Sequence, residues 1–149
     1  MKRILLTGFE PFHEYKINSS WSLVDSFKNT TSDFESIKLL LPVEFKAVSN
    51  LVPKILKQYQ PDIVLAFGQC TGDSIRIERV ALNIDDARSA DNNGYTPIDE
   101  LIHADGKNAY FSSLPIKAIQ QAMAAKNIPA VISNSAGTYV CNHLFYELF

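Results

Sequence analysis

The chain has 149 residues, of which 46% are hydrophobic and 20% charged, with a formal net charge of −2. That length suits one domain with a sizeable core, and six Gly and seven Pro exclude a fibrous or low-complexity chain. Fourteen basic against 16 acidic residues argue against an electrostatic nucleic-acid binder, and two cysteines cannot build a disulfide framework. The N-terminal apolar run is only Ile4-Leu5-Leu6, too short for a secretory or membrane segment. The expectation is therefore a cytoplasmic, globular chain with neither nucleic acid nor membrane as partner.

The elements follow in order. Arg3 to Thr7 reads as a strand buried on both faces of a parallel sheet, halted by Gly8. Asn18-Ser19-Ser20 offers N-caps for an amphipathic helix carrying Trp21, Leu23, Val24 and Phe27. Ile37 to Leu41 is a second strand. Phe45, Val48, Val52, Ile55 and Leu56 then recur at helical spacing up to Tyr59, with Pro53 as a kink or restart. Ile63 to Phe67 is a third strand. Apolar positions fall on odd numbers at Ile75 and Ile77 and on even numbers at Val80, Leu82 and Ile84. Side chains alternate along a strand, so this change of parity demands a bulge or turn near Glu78-Arg79. Asp85 to Pro97 is a polar, turn-rich loop. Leu114 to Lys126 reads as a helix with Ile116, Ile119 and Met123 inward, Pro129 to Ser133 as a strand, and a last helix starts near Thr138 or Tyr139. The order predicts one α/β domain over residues 1–149, a three-layer α/β/α sandwich on a mixed, mostly parallel sheet.

Sites in such sheets gather at the carboxyl ends of strands. Cys141 falls in the first turn of the last helix, where free N–H groups and the helix dipole favour a thiolate. It also shares an apolar stripe with Phe145 and Leu148, and on spacing alone a core cysteine is the favoured reading. Cys70 reads as a buried structural thiol. Glu78 could be a half-buried carboxylate, but on its own a solvated turn residue paired with Arg76 or Arg79 is the favoured reading. Asp85, Asp86 and Asp91 lack a His or Cys at ligand spacing, so a capping and salt-bridging loop around Arg88 is preferred to a metal site. Phe9 and Phe12 either line a small apolar pocket or plug the core. Of the three histidines, His143 lies two residues past Cys141, about 200° away at ~100° per residue of helix, and cannot be its base. His13 and His103 sit in polar loops. No GxGxxG or GxxxxGK[ST] loop occurs, which weakens a nucleotide-binding reading.

The stretches LLTGFEPF with KIN after it, PDIVLAFGQ, IERVALNIDDARSADNNGYTPID, YFSSLPIKAI and SAGTYVCNHLFYELF together resemble the pyrrolidone carboxyl peptidases (pyroglutamyl peptidase I), cysteine peptidases that remove N-terminal pyroglutamate. The resemblance covers essentially the whole chain and replaces the core reading of Cys141. It implies that Cys141 is the nucleophile, Glu78 the acidic third member of the triad, and Phe9 and Phe12 the aromatics of the pyroglutamyl-ring pocket. It places Gln69 in a segment whose backbone meets the lactam, puts Tyr139 and Val140 beside the nucleophile and ring, and marks Asn18 and Arg88 as motif positions. The implied chemistry is acyl transfer through a thioester, with no metal or organic cofactor, on peptides that begin with pyroglutamate. Homo-oligomers are implied for the intact fold. The family's catalytic histidine lies on a strand downstream of the Cys141 helix, and nothing in this chain corresponds to it. The apolar stripe ending in Tyr146-Glu147-Leu148-Phe149 leads to the expectation that the chain is cut within a helix, without its histidine, a strand and a closing helix. The alternative to an active peptidase is thus a catalytically inactive chain.

Overall fold

A computed structural model describes residues 1–149. The class is α/β, with three parallel strand pairings and one antiparallel pairing. Two compact units share the chain: Met1–Gln69 with Arg88–Thr96 and Leu148, and Cys70–Ala87 with Pro97–Glu147 and Phe149.

In the first unit, β1 (Lys2–Phe9) is the central strand, paired in parallel with β2 (Phe34–Leu41) on one edge and β3 (Ile63–Ala66) on the other. Leu5 stands opposite Ile37 and Val64, and the run from Leu5 to Phe9 is buried, as a strand enclosed on both faces should be. Helix α1 (Ser19–Ser26) packs so closely on β1 that a Cβ on Gly8 would lie 2.8 Å from Trp21 Cα, so only glycine fits there. Val24 faces the core, whereas Leu23 and Phe27 are exposed, so the stripe expected on this helix is narrower than its apolar residues suggest. Helix α2 (Phe45–Tyr59) runs unbroken through Pro53. Proline removes one N–H there, but it lies on the exposed side, while Phe45, Val48 and Val52 are buried. Each such side chain contributes about 1.5–3 kcal/mol, which outweighs the missing bond's ~1 kcal/mol. Gln60 ends the helix in the left-handed region, at φ 44°.

The N-cap of α2 comes from far away. Glu44 makes no side-chain cap bond, and Asp91 takes its place: Oδ2 accepts from Phe45 N at 3.0 Å, and Oδ1 accepts from Asn93 N and Tyr95 N at 3.0 and 2.9 Å. The loop therefore caps, as expected, although Arg88 makes no ion pair in it, and Asn92 fastens it further through Glu10 Oε1 and Pro11 O, both at 2.9 Å.

In the second unit the parity break is resolved by a change of partner. Strand β4 (Ile75–Glu78) pairs in parallel with β7 (Ala130–Ser133), and β5 (Val80–Leu82) pairs antiparallel with β6 (Ala109–Phe111). Arg79 between them donates its N–H to Ser133 O and accepts from Ser112 N at its carbonyl, both at 2.8 Å. The bulge expected within one ladder is thus a switch between two ladders. Strand β6 escaped the sequence reading, because three residues flanked by turns carry too little periodicity. Helix α3 (Ile116–Ala124) turns Ile116, Ile119 and Met123 inward, though each stays only half-buried, and α4 (Val140–Glu147) buries Val140, Asn142, His143, Leu144 and Tyr146. No helix is long and apolar enough to cross a membrane.

Replacing Asp91 by Ala removes the acceptor for three backbone N–H groups, including the buried first donor of α2. The expected loss is about 1–3 kcal/mol in a urea unfolding series, against at most a few tenths for Glu44→Ala. Equal losses for the two variants would show that Asp91 is not the cap.

Candidate active site

Strands β4 and β7 end side by side, with Glu78 opposite Ser133. Beyond β7, Ser133 Oγ donates to Ser135 O at 3.0 Å, Ser135 Oγ accepts from Gly137 N at 3.1 Å, and Gly137 turns the chain at φ 83°. Thr138 then latches onto Asp86: its Oγ1 donates to Asp86 O at 2.7 Å and its carbonyl accepts from Asp86 N at 3.0 Å. This loop delivers Cys141 as the second residue of α4, where first-turn N–H groups have no partner inside the helix. Val140 before it is buried, and the carbonyl of the half-buried Tyr139 accepts from His143 N at 3.1 Å.

The expected thiolate is not favoured. Burial pushes the Cys141 thiol up to about 11, with the negative charge available at Cys70 and Glu78 adding to it. A helix terminus stabilises an anion by about 0.3–1 kcal/mol, which is too little to offset removal from water beside two acidic groups. Glu78 is half-buried and makes no ion pair with Arg76 or Arg79, so the turn-residue reading of it fails. Its Oε2 is buried and has no hydrogen-bond partner. A carboxylate with such an oxygen is suited to hold an N–H donor. Cys70 is exposed, which overturns the expectation of a buried structural thiol, because the turn after Gln69 carries it to the surface.

The histidines are engaged elsewhere. His143, buried on α4, meets Asp85 Oδ2 through Nδ1 at 2.8 Å and Glu147 Oε1 through Nε2 at 3.5 Å. His103 reaches Glu147 Oε2 at 3.1 Å, and His13, in the other unit, bonds Ser89 Oγ at 2.9 Å. No group of three or more His, Cys, Asp or Glu side chains is arranged to hold a metal ion.

In the first unit, the candidate residues around α1 form one hydrogen-bonded set. Asn18 caps α1 through Oδ1, which accepts from Ser20 N at 3.0 Å and Ser20 Oγ at 2.6 Å, while its Nδ2 donates to Glu10 O at 3.0 Å. Ser20 Oγ accepts from Phe9 N at 3.0 Å, and Gln69 Oε1 accepts from Ser19 N at 2.8 Å. Asn18 thus fixes the turn after β1, and the side chain of Gln69 is committed to the helix. Phe9 is buried and plugs the core, while Phe12 is half-buried, its ring 4.9 Å from that of His13 and 5.5 Å from that of Tyr15. Arg88 is exposed.

The sequence reading missed the polar residues that hold α4. Asn142 bonds Leu82, 60 residues away, and His143 bonds Asp85, 58 residues away. Nothing in local spacing encodes such partners. The one available signal was their position directly after Cys141.

Known proteins agree with the motifs. The Pyroglutamyl peptidase family matches residues 2–149. A pyrrolidone-carboxylate peptidase of Brachyspira hyodysenteriae is 50% identical over 147 residues, which cover 98% of this chain and 73% of that protein. The counterpart in Staphylococcus aureus strain JH9 is 49% identical over 97% of this chain and 69% of its own length. Among solved structures, pyroglutamyl peptidase I of Bacillus amyloliquefaciens superposes with a TM-score of 0.94 at 39% identity, over 99% of this chain and 73% of that one. The pyrrolidone carboxyl peptidase of Thermococcus litoralis also gives 0.94 at 39% identity, over 99% of this chain and 68% of its own. The chain belongs to the pyroglutamyl peptidase family of cysteine peptidases.

Proposed function

We propose that the site chemistry is removal of N-terminal pyroglutamate from peptides through a thioester on Cys141. The observation that carries this reading is the pairing of a cysteine in the first turn of α4 with a carboxylate, Glu78, whose buried Oε2 has no partner. Cys141 Sγ attacks the pyroglutamyl carbonyl, and first-turn N–H groups of α4 stabilise the oxyanion that forms. The thiol proton passes to the amine as the C–N bond breaks, and water then hydrolyses the thioester, its hydroxyl going to pyroglutamate and its hydrogen back to Sγ. Glu78 does not react itself; its unpartnered Oε2 would accept the N–H of an imidazole base, a role that none of His13, His103 and His143 fills. By the family resemblance Phe12 and the backbone near Gln69 answer to ring-binding positions, and Tyr139 and Val140 to positions beside the nucleophile, whereas Phe9 is buried in the core.

A second reading, that these 149 residues alone turn over little substrate, is favoured by two observations. The Cys141 thiol is pushed up to about 11, and His103 and His143 are held by Glu147 and Asp85 rather than by Glu78. Absence of a working base from a triad commonly costs several powers of ten in rate. The two readings concern different quantities, binding with acyl chemistry on one side and turnover on the other, and are separable.

A pyroglutamyl chloromethyl ketone is expected to label Cys141 at least about tenfold faster than the prolyl counterpart, read by peptide mass spectrometry. Equal rates, or labelling confined to Cys70, would remove the pyroglutamyl assignment. Hydrolysis of a fluorogenic pyroglutamyl amide is expected to run about 10³-fold or more below that of the Brachyspira relative assayed alongside. A comparable rate would sink the second reading.

Thiolate chemistry supplies a pH test. With Cys70→Ser removing the exposed thiol, alkylation of Cys141 by iodoacetamide should rise about tenfold per pH unit from 7 to 9, because the thiolate fraction limits the rate. The midpoint should lie well above the ~8.5 of a free thiol and fall in Glu78→Gln, since the Glu78 charge is one of the causes that raise it. A profile that levels off near pH 8 would contradict the burial of the thiol.

A further inference from the structure

The residue after the nucleophile does work that no helix position requires. Asn142 is fully buried, and its amide lies against β5 as a neighbouring strand would. Oδ1 accepts from Leu82 N at 2.9 Å, while Nδ2 donates to Leu82 O at 2.9 Å and to Ile84 O at 3.2 Å. The other edge of β5 is the β6 ladder, so Asn142 satisfies the backbone of Leu82 on the side where no strand runs. Two further ties join the same segments: His143 Nδ1 with Asp85 Oδ2 at 2.8 Å, and Thr138 with Asp86. The chain that leaves Glu78 through Arg79 and β5 is therefore stitched, residue after residue, to the turn that presents Cys141.

We propose that Asn142 is the positioning residue of Cys141, holding the first turn of α4 against β5 and so fixing the thiol relative to Glu78 on the preceding strand. Three hydrogen bonds from one planar amide leave the helix turn no freedom to slide along β5 or rotate away from it. Neighbouring Cys141 inherits that constraint through a single peptide unit. A residue of this kind touches neither substrate nor reacting atoms; it sets the near-attack geometry on which they depend. The inference rests on the reading of Cys141 as nucleophile.

The alkylation profile of Cys141 in the Cys70→Ser background tests it without substrate. Asn142→Ser is expected to lower the midpoint by at least about one pH unit, so that labelling at pH 8 speeds up about tenfold, while near-UV circular dichroism stays native. Asn83→Ser is the control. Asn83 makes the same kind of amide clamp in the same unit, its Oδ1 accepting from His103 N at 2.9 Å and its Nδ2 donating to His103 O at 2.8 Å, but does not adjoin Cys141. It should lower the thermal midpoint and leave the alkylation profile in place. Should Asn142→Ser not fold, Asn142→Gln keeps the amide one methylene too long and is expected to show the same shift. An unchanged profile in a folded Asn142 variant, an equal shift in Asn83→Ser, or failure of both Asn142 variants to fold would each overturn the proposal. Failure of the pyroglutamyl assignment would appear separately, in the chloromethyl ketone labelling.

Discussion

Arg79 is a single residue with one backbone bond into each of two ladders. Its N–H goes to Ser133 at the end of β7, and its carbonyl receives Ser112 just past β6. Because one residue spans both, β4 must end where β5 begins, and Glu78 is held at the carboxyl end of a parallel pair. The polar groups of a buried backbone need partners, and here meeting that need also fixes a carboxylate. Everything in the second unit that bears on the chemistry follows from this joint: β5 starts in a set register, Leu82 presents its backbone to Asn142, and the first turn of α4 is bound to it.

Polar side chains replace backbone partners throughout. Asn18, Gln69 and Asp91 do so in the first unit, capping two helices from within and from distant segments. Asn83 and Asn142 do so in the second. Asparagine and aspartate suit the task because a short, planar group can satisfy an N–H and a C=O with little loss of rotamer freedom. These residues turn irregular segments into fixed ones, which is what a site built at strand ends requires.

Cys141, half-buried in the first turn of α4, occupies the helix position that favours an anion, yet desolvation and the negative charge at Cys70 and Glu78 push its thiol above the range of a free one. Meanwhile the carboxylate at Asp85 is matched to His143, whose second nitrogen faces Glu147. The imidazole on the helix that carries Cys141 is thus engaged by carboxylates and not by the thiol.

Much of this was legible in the sequence. Length, apolar periodicity and capping residues indicated the α/β class, the burial of β1, a set of N-cap candidates for α1 at Asn18-Ser19-Ser20 and the stripe of α2, because those depend on neighbours a few residues apart. The motif stretches gave the family. The parity change at Glu78-Arg79 located the joint between ladders but not its nature, since a bulge and a change of partner look alike in one strand. Exposure of Cys70, capping of α2 by Asp91, the unpaired oxygen of Glu78 and the clamp of Asn142 on Leu82 were decided only by the tertiary structure. Each depends on groups dozens of residues away, and the state of Cys141 depends on how much water those groups exclude. Residue type and local order are properties of the chain, whereas burial and long-range pairing exist only once it has folded.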